Sequence, residues 1–181
     1  ERAGITPDIM CLSKGLTGGY MPMSITVVKE KIYEAFYADW SEGKAFMHSH
    51  TYAGNPLGCA AALAVLDILD EENILEQAEN TAAWLTERLS ETFGAHPNVG
   101  EIRHIGLIHA LELVEDRAEK RPFDSKRRLG YAIYRGALQH GLLLRPLGDI
   151  LYFNPPLNIG RNDLETAMER MKLSMDEVLG A

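Results

Sequence analysis

Lys14 stands where an apolar run meets a glycine-rich turn, in Leu12-Ser13-Lys14-Gly15-Leu16-Thr17-Gly18-Gly19. Ile9-Met10-Cys11-Leu12 before it reads as a buried strand, and three glycines follow within five positions. An amine leaving such a strand is partly desolvated. Desolvation disfavours the ammonium, lowers its pKa and leaves a nucleophile able to attack a carbonyl. Glycines alongside let a flat group or its phosphate approach the backbone closely. That combination suits a Schiff-base lysine. The turn alone does not decide the matter, because most lysines beside glycines are solvated loop residues.

A second cluster lies at His48-Ser49-His50-Thr51-Tyr52-Ala53-Gly54-Asn55-Pro56-Leu57. Asn55 suits an N-cap and Pro56 the first helical position. Leu57, Ala61, Ala64 and Ile68 then mark the expected buried stripe. Thr51 sits in the loop before that helix, where a hydroxyl and free amides could meet a phosphate. A capped helix with a polar lead-in accounts for the same residues. His48 and His50 lack a third ligand cluster, so loop histidines and no metal are expected.

Taken together, Pro7 to Gly19 and His50 to Leu57 resemble the class III pyridoxal-phosphate aminotransferases, most closely the branch that serves biotin synthesis. The resemblance runs from residue 1 to about residue 180 and keeps the order of motifs. It implies an α/β fold-type I transferase, represented by its C-terminal part: a piece of the large cofactor domain (residues 1–73) and a small α+β domain (residues 74–181). It implies pyridoxal 5'-phosphate held by Lys14. It also implies a homodimer in which Thr51 reaches the phosphate bound to the neighbouring subunit. The aspartate that pairs with the pyridine nitrogen, the aromatic that stacks on the ring and a glycine-rich phosphate loop belong, by the same analogy, to a preceding part. The opening Glu1-Arg2-Ala3-Gly4 lacks Met and reads as the start of an excised piece.

Composition narrows the partners. The 181 residues carry a formal net charge of -8 and no long basic cluster, which argues against nucleic acid and anionic membranes. No apolar stretch approaches bilayer length, and no signal-like segment opens the chain. Cys11 and Cys59 read as small buried side chains in a reducing compartment, so a cytoplasmic enzyme is expected.

The elements that must position these residues follow from periodicity. Ser24 to Val28 reads as a strand, and a helix near 29–37 turns Ile32 and Phe36 inward. Residues 38–54 read as a polar active-site loop, with Tyr33, Phe36, Tyr37 and Trp40 packing or lining an interface. A second long helix carries Leu75, Ala78, Ala82, Leu85, Leu89 and Phe93. Val99–Arg103 and Leu107–Val114 read as strands with turns at Gly100 and Gly106. Ser125 is a plausible N-cap for a helix with Leu129, Ile133 and Ala137 inside, stopping at Gly141. Leu142–Leu144 and Ile150–Phe153 suggest a hairpin around Pro146-Leu147-Gly148-Asp149. Asn162 and Glu165 resemble a capping box opening a last helix with Leu164, Met168, Met171, Met175 and Val178 as its core face.

Arg145, flanked by leucines and Pro146 at the end of an expected buried strand, must find an anion. Glu112 or Asp149 is the internal choice, and a substrate carboxylate held by a bidentate fork is the functional one. In the resembled family the arginine of the matching Leu144-Arg145-Pro146-Leu147-Gly148 binds the carboxylate of a keto-amino acid substrate. Ser49 joins Arg145 as a candidate substrate contact. Arg103 is read as a structural tie, and Asn154-Pro155-Pro156-Leu157 as a turn that shapes the site. The activity implied is transamination of that keto acid, with S-adenosylmethionine as amino donor and lysine serving in some relatives. Another class III ω-amino-acid or diamine aminotransferase, or a catalytically silent structural piece, remains the alternative.

Overall fold

The computed structural model describes residues 3–180. The chain divides into two compact units, Glu1–Glu72 and Asn73–Ala181.

In the first unit, β1 (Ile9–Ser13) and β2 (Ser24–Val28) form an antiparallel ribbon in which Ser13 faces Ser24 and Ile9 faces Val28. Between them Lys14–Thr17 makes a 3-10 turn. A short α1 (Glu30–Tyr33) and α2 (Pro56–Glu71) follow. As the sequence predicts, Asn55 caps α2, its side-chain oxygen accepting from the Leu57 amide at 3.1 Å. The expectation of a buried β1 is not met: all five residues are exposed, Cys11 among them. A two-stranded ribbon supplies one neighbour per strand and no covering layer, so apolar composition alone does not bury it. The stripe of α2 also falls elsewhere. Gly58 and Ala62 are buried, while Leu57 and Ile68 are 68% and 49% exposed. The 3-10 turn packs on α2, and a Cβ on Gly58 would make an ordinary contact with Met23 Sδ at 3.4 Å. Phe36 points outward but meets the Phe46 ring at 5.1 Å, and Tyr33 stacks on Tyr37 at 5.3 Å.

The second unit holds its own core. A three-stranded antiparallel sheet runs β3 (Val99–Ile105), β4 (Ile108–Leu113), β5 (Ile150–Phe153), with α3 (Ile74–Phe93), α4 (Leu129–Gln139) and α5 (Arg161–Leu179) packed on it or on one another. Register puts Ile102 opposite Leu111 and Leu111 opposite Leu151, on the buried face. Leu85, Leu89, Phe93, Ile133, Leu164, Met168, Met171 and Met175 fill the space beneath. The α3 stripe begins at Ile74 rather than Leu75, which is 60% exposed. Gly100 is not a turn but lies at a bulge, where a Cβ would meet Val114 Cγ1 at 2.7 Å.

Two cap expectations and one strand expectation are corrected. Asp124, not Ser125, accepts a cap bond, from the Lys126 amide. Asp149 accepts from the Gly130 amide at 3.0 Å, satisfying the first turn of α4. Asn162 makes no cap. Gly160 precedes α5, and Glu165 instead takes Arg88 of α3 in a two-point ion pair (2.8 and 3.2 Å) that holds its carboxyl below the usual range. Leu142–Leu144 is not a strand: the Leu142 amide returns to Ala137 O and closes α4, leaving a single Leu147–Ile150 bridge.

His109 is fully buried on β4, its Nδ1 3.2 Å from Leu107 O and its Nε2 2.8 Å from Thr86 Oγ1. A neutral ring that donates through Nδ1 accepts at Nε2 the single proton of the Thr86 hydroxyl, which then turns from the Ala82 carbonyl 2.9 Å away. Burial pushes its pKa below the ordinary 6.5, and the His104 ring stacked 4.9 Å away pushes the same way. His96 is also buried and pushed down, chiefly by burial. A histidine held neutral stabilises the fold above its unfolded pKa, and that stability is lost as pH falls through the folded value. Unfolding in urea at pH 7 and pH 5 is expected to show a lower midpoint at pH 5, and His109→Asn to shrink the difference. An unchanged difference in the variant would clear His109 of the effect.

Candidate functional site

The β1–β2 ribbon delivers Lys14 at a place no ordinary turn requires. Its φ is +56°, a left-handed backbone unusual for a residue bearing a side chain, and the next three residues complete the 3-10 turn. Lys14 is exposed, so the desolvation expected of it is not supplied by the residues present. Its isolation from acids is the more telling feature. Of the seven lysines, Lys29, Lys31, Lys44, Lys120 and Lys172 each pair with a carboxylate. Among the described residues Lys14 and Lys126 pair with none, and of the two only Lys14 stands on a turn of left-handed backbone beside glycines.

The other half of the first unit's site is the lead-in to α2. Thr51 is exposed, at the start of a turn closed by the Ala53 amide donating to His50 O at 2.9 Å. The His50 ring turns inward on this loop, its Nδ1 accepting from the Tyr52 amide at 3.2 Å. Among the described residues neither the Thr51 nor the Gly54 amide donates a hydrogen bond, so both can receive an anion. Ser13 on one side, and His50, Tyr52 and Gly54 on the other, line a single open cleft of about 960 Å³. The structure therefore brings the neighbours of Lys14 and the neighbours of Thr51 to the same cleft. Ser49 is exposed in that loop and does not line it. Among the described residues no group of histidine, cysteine and acidic side chains is placed to hold a metal ion. No helix of the described residues is long and apolar enough to cross a membrane.

In the second unit Arg145 is exposed in the irregular segment between α4 and β5, not buried in a strand. Neither internal carboxylate takes it: Glu112 pairs with Arg103 at 2.6 Å, and Asp149 caps α4. Arg103, as expected, is a tie, bridging Glu112 and Glu101, which face each other across β3 and β4. Arg145 lines a cleft of about 650 Å³ together with Arg128, Tyr131, Tyr134 and Pro146. Sequence reading passed over Arg128, whose guanidinium lies 4.6 Å from the Tyr131 ring centre. The signal was there: Tyr131 and Tyr134 are spaced three apart, off the Leu129–Ile133–Ala137 stripe.

The described residues thus combine an exposed lysine without an acid partner on a ribbon turn, a helix lead-in with free amides and a separate α+β unit. The aminotransferase class-III family model matches residues 1–175, and the chain belongs to that family. It is 43% identical to adenosylmethionine-8-amino-7-oxononanoate aminotransferase of Geobacter sulfurreducens, over 99% of this chain and 39% of that protein. It is 37% identical to diaminobutyrate--2-oxoglutarate transaminase of Halomonas elongata, over 98% of this chain and 38% of that protein. A crystal structure of the adenosylmethionine-8-amino-7-oxononanoate aminotransferase from Methanocaldococcus jannaschii superposes with a TM-score of 0.87 at 34% identity, over 95% of this chain and 39% of that one. The PMP-bound aminotransferase from Vibrio fluvialis gives 0.92 at 31%, over 99% and 39%. The fold is thus that of class III transaminases, and the chain spans about 40% of the length of the relatives it matches.

Proposed function

We propose that this chain is the C-terminal part of a cytoplasmic, homodimeric, pyridoxal-phosphate-dependent aminotransferase. Its reaction is amination of 8-amino-7-oxononanoate (7-keto-8-aminopelargonate) to 7,8-diaminopelargonate in biotin synthesis, with S-adenosylmethionine as donor. The observation that carries the reading is the unpaired, exposed amine of Lys14 on its left-handed turn. The residues present fit the cofactor. Lys14 offers a free amine, Gly15 and Gly19 leave open space where side chains would stand, and Thr51 offers a hydroxyl beside undonated amides.

The cofactor, when bound, supplies the electron sink for breaking a bond at the amine-bearing carbon. Lys14 would hold it through Nζ, and that nitrogen, when not so engaged, would take the proton from the substrate carbon as base and deliver it to a different carbon as acid. Thr51 of one subunit binds the phosphate held by the other. Arg145 orients the acceptor by its carboxylate, and Ser49 adds a hydroxyl contact to the substrate.

Loss of Arg145 should therefore be selective. In the full-length enzyme, Arg145→Ala is expected to raise KM for the keto acid about tenfold to a hundredfold, as loss of a charge-assisted hydrogen bond does. An aldehyde acceptor without a carboxylate should be used as before. Equal losses for both acceptors would take Arg145 out of substrate binding.

A second reading, an ω-amino-acid or diamine aminotransferase, is favoured by the Halomonas elongata relative and by solved omega-transaminases of the same fold. Assaying the full-length enzyme with 8-amino-7-oxononanoate against pyruvate separates the two, and preference for pyruvate would overturn the first. The isolated chain is proposed to be catalytically silent. Stoichiometric binding of pyridoxal phosphate to it would refute that.

A further inference from the structure

The side chain of Lys14 makes no hydrogen bond or ion pair among the described residues, so only its backbone aims the amine. That backbone is left-handed, a conformation a non-glycine residue keeps only where its surroundings over-determine it. Most of the turn offers little to do so. Lys14 and Gly15 are exposed, and nothing stands within 4 Å of the position a Cβ on Gly15 would take. The exception is Thr17, 1% exposed and the only buried residue among those described before Gly58. Its hydroxyl donates to Met21 O at 2.6 Å and accepts from the Met21 amide at 3.4 Å, while its own carbonyl accepts from the Tyr20 amide at 3.1 Å. One residue on, Gly18 closes the 3-10 turn onto Gly15 O at 3.0 Å and lies against Val65 of α2. The turn is thus open at its lysine end and clamped at its threonine end.

We propose that Thr17 is the positioning residue for Lys14: its hydroxyl locks the turn to residue 21 and so fixes the direction in which Nζ leaves the ribbon. This rests on reading Lys14 as the cofactor lysine. The chemistry needs Nζ within reach of one substrate proton, and displacements of about 1 Å cost on the order of a hundredfold in rate. Valine at 17 keeps the shape and removes the hydroxyl; serine keeps the hydroxyl and removes the methyl.

In the full-length holoenzyme, Thr17→Val is expected to lower kcat about tenfold to a hundredfold with KM for the keto acid changed less than about twofold. It should also shift the pH midpoint of the bound cofactor's visible absorbance. Thr17→Ser should recover most of the rate and restore that midpoint. In the cofactor-free protein, amide exchange at Gly18 and Tyr20 should quicken with valine and not with serine. Borohydride trapping and peptide mapping of the wild type serve as the control on the underlying reading: cofactor on another lysine would sink the assignment of Lys14. With cofactor trapped on Lys14 in all three proteins, an unchanged kcat and midpoint in Thr17→Val would overturn the role of Thr17. Should the valine variant fail to fold, a serine variant as impaired as a lysine-14 substitution would overturn it equally.

Discussion

Replacing Lys14 by alanine in the full-length enzyme is expected to remove covalent attachment of the cofactor and to cut kcat by about 10⁴-fold or more. On the proposed assignment two functions leave with one nitrogen: the covalent anchor and the acid–base group that moves the substrate proton, the second alone accounting for roughly 10²–10⁴. Among the other described lysines, five are engaged with carboxylates, and Lys126 lies on the turn that Asp124 caps. The check is borohydride trapping followed by mass mapping, alongside the visible spectrum of the purified variant. A Lys14→Ala protein that still traps cofactor on this chain would remove the central assignment. Added methylamine offers a finer control, because an external amine can restore the proton transfer without restoring the anchor.

Residues 73–181 expressed alone should fold cooperatively, and residues 1–72 should not. The second unit encloses Leu85, Leu89, Phe93, Leu111, Ile133, Leu164 and Met171 with at most 1% of each exposed. Among its described residues the first buries only Thr17, Gly58 and Ala62, none of them a large apolar side chain. Its Ile9, Met10, Leu12, Val27, Leu63 and Leu66 remain between 37% and 61% exposed. Burial of apolar area is the main favourable term in folding, and the first unit has too little of it to offset chain entropy. Within 73–181, Leu111→Ala at the sheet centre is expected to cost about 3 kcal/mol, a large share of a typical domain's stability. Urea denaturation followed by circular dichroism reads both. A sigmoidal transition for 1–72 alone, or a Leu111→Ala midpoint equal to wild type, would contradict this account.

How much of this was legible beforehand depended on whether local rules met their burial partners. The second unit read well because its periodicities are strong and their partners lie within the same stretch. The Leu164–Met168–Met171–Met175 face and the Leu129–Ile133–Ala137 stripe are buried as the spacing predicts. Caps were less legible. Asp149 satisfies Gly130 across nineteen residues, a bond no local pattern encodes. In the first unit the strands were legible and their burial was not, because apolar alternation gives a strand's preference and not the layer that would cover it. Lys14 and Thr51 were legible as motifs, and the meeting of their chain neighbours, Ser13 with His50 and Tyr52, along one cleft emerged only from the ribbon and the α2 lead-in together. Thr17 stood in the quoted motif without distinction, since a buried hydroxyl bonded four residues ahead leaves no compositional trace.

Gly130 gives the second unit a fixed point of another kind. A Cβ there would stand 2.0 Å from Gly148 O and 3.1 Å from the Pro146 side chain, so the first turn of α4 touches the loop three residues beyond Arg145 backbone to backbone. Any larger side chain at 130 must push that loop outward and carry the guanidinium with it. In the proposed role of Arg145, acceptor preference would then depend on position 130, where a side chain larger than hydrogen has to come with a compensating change in the 146–148 loop.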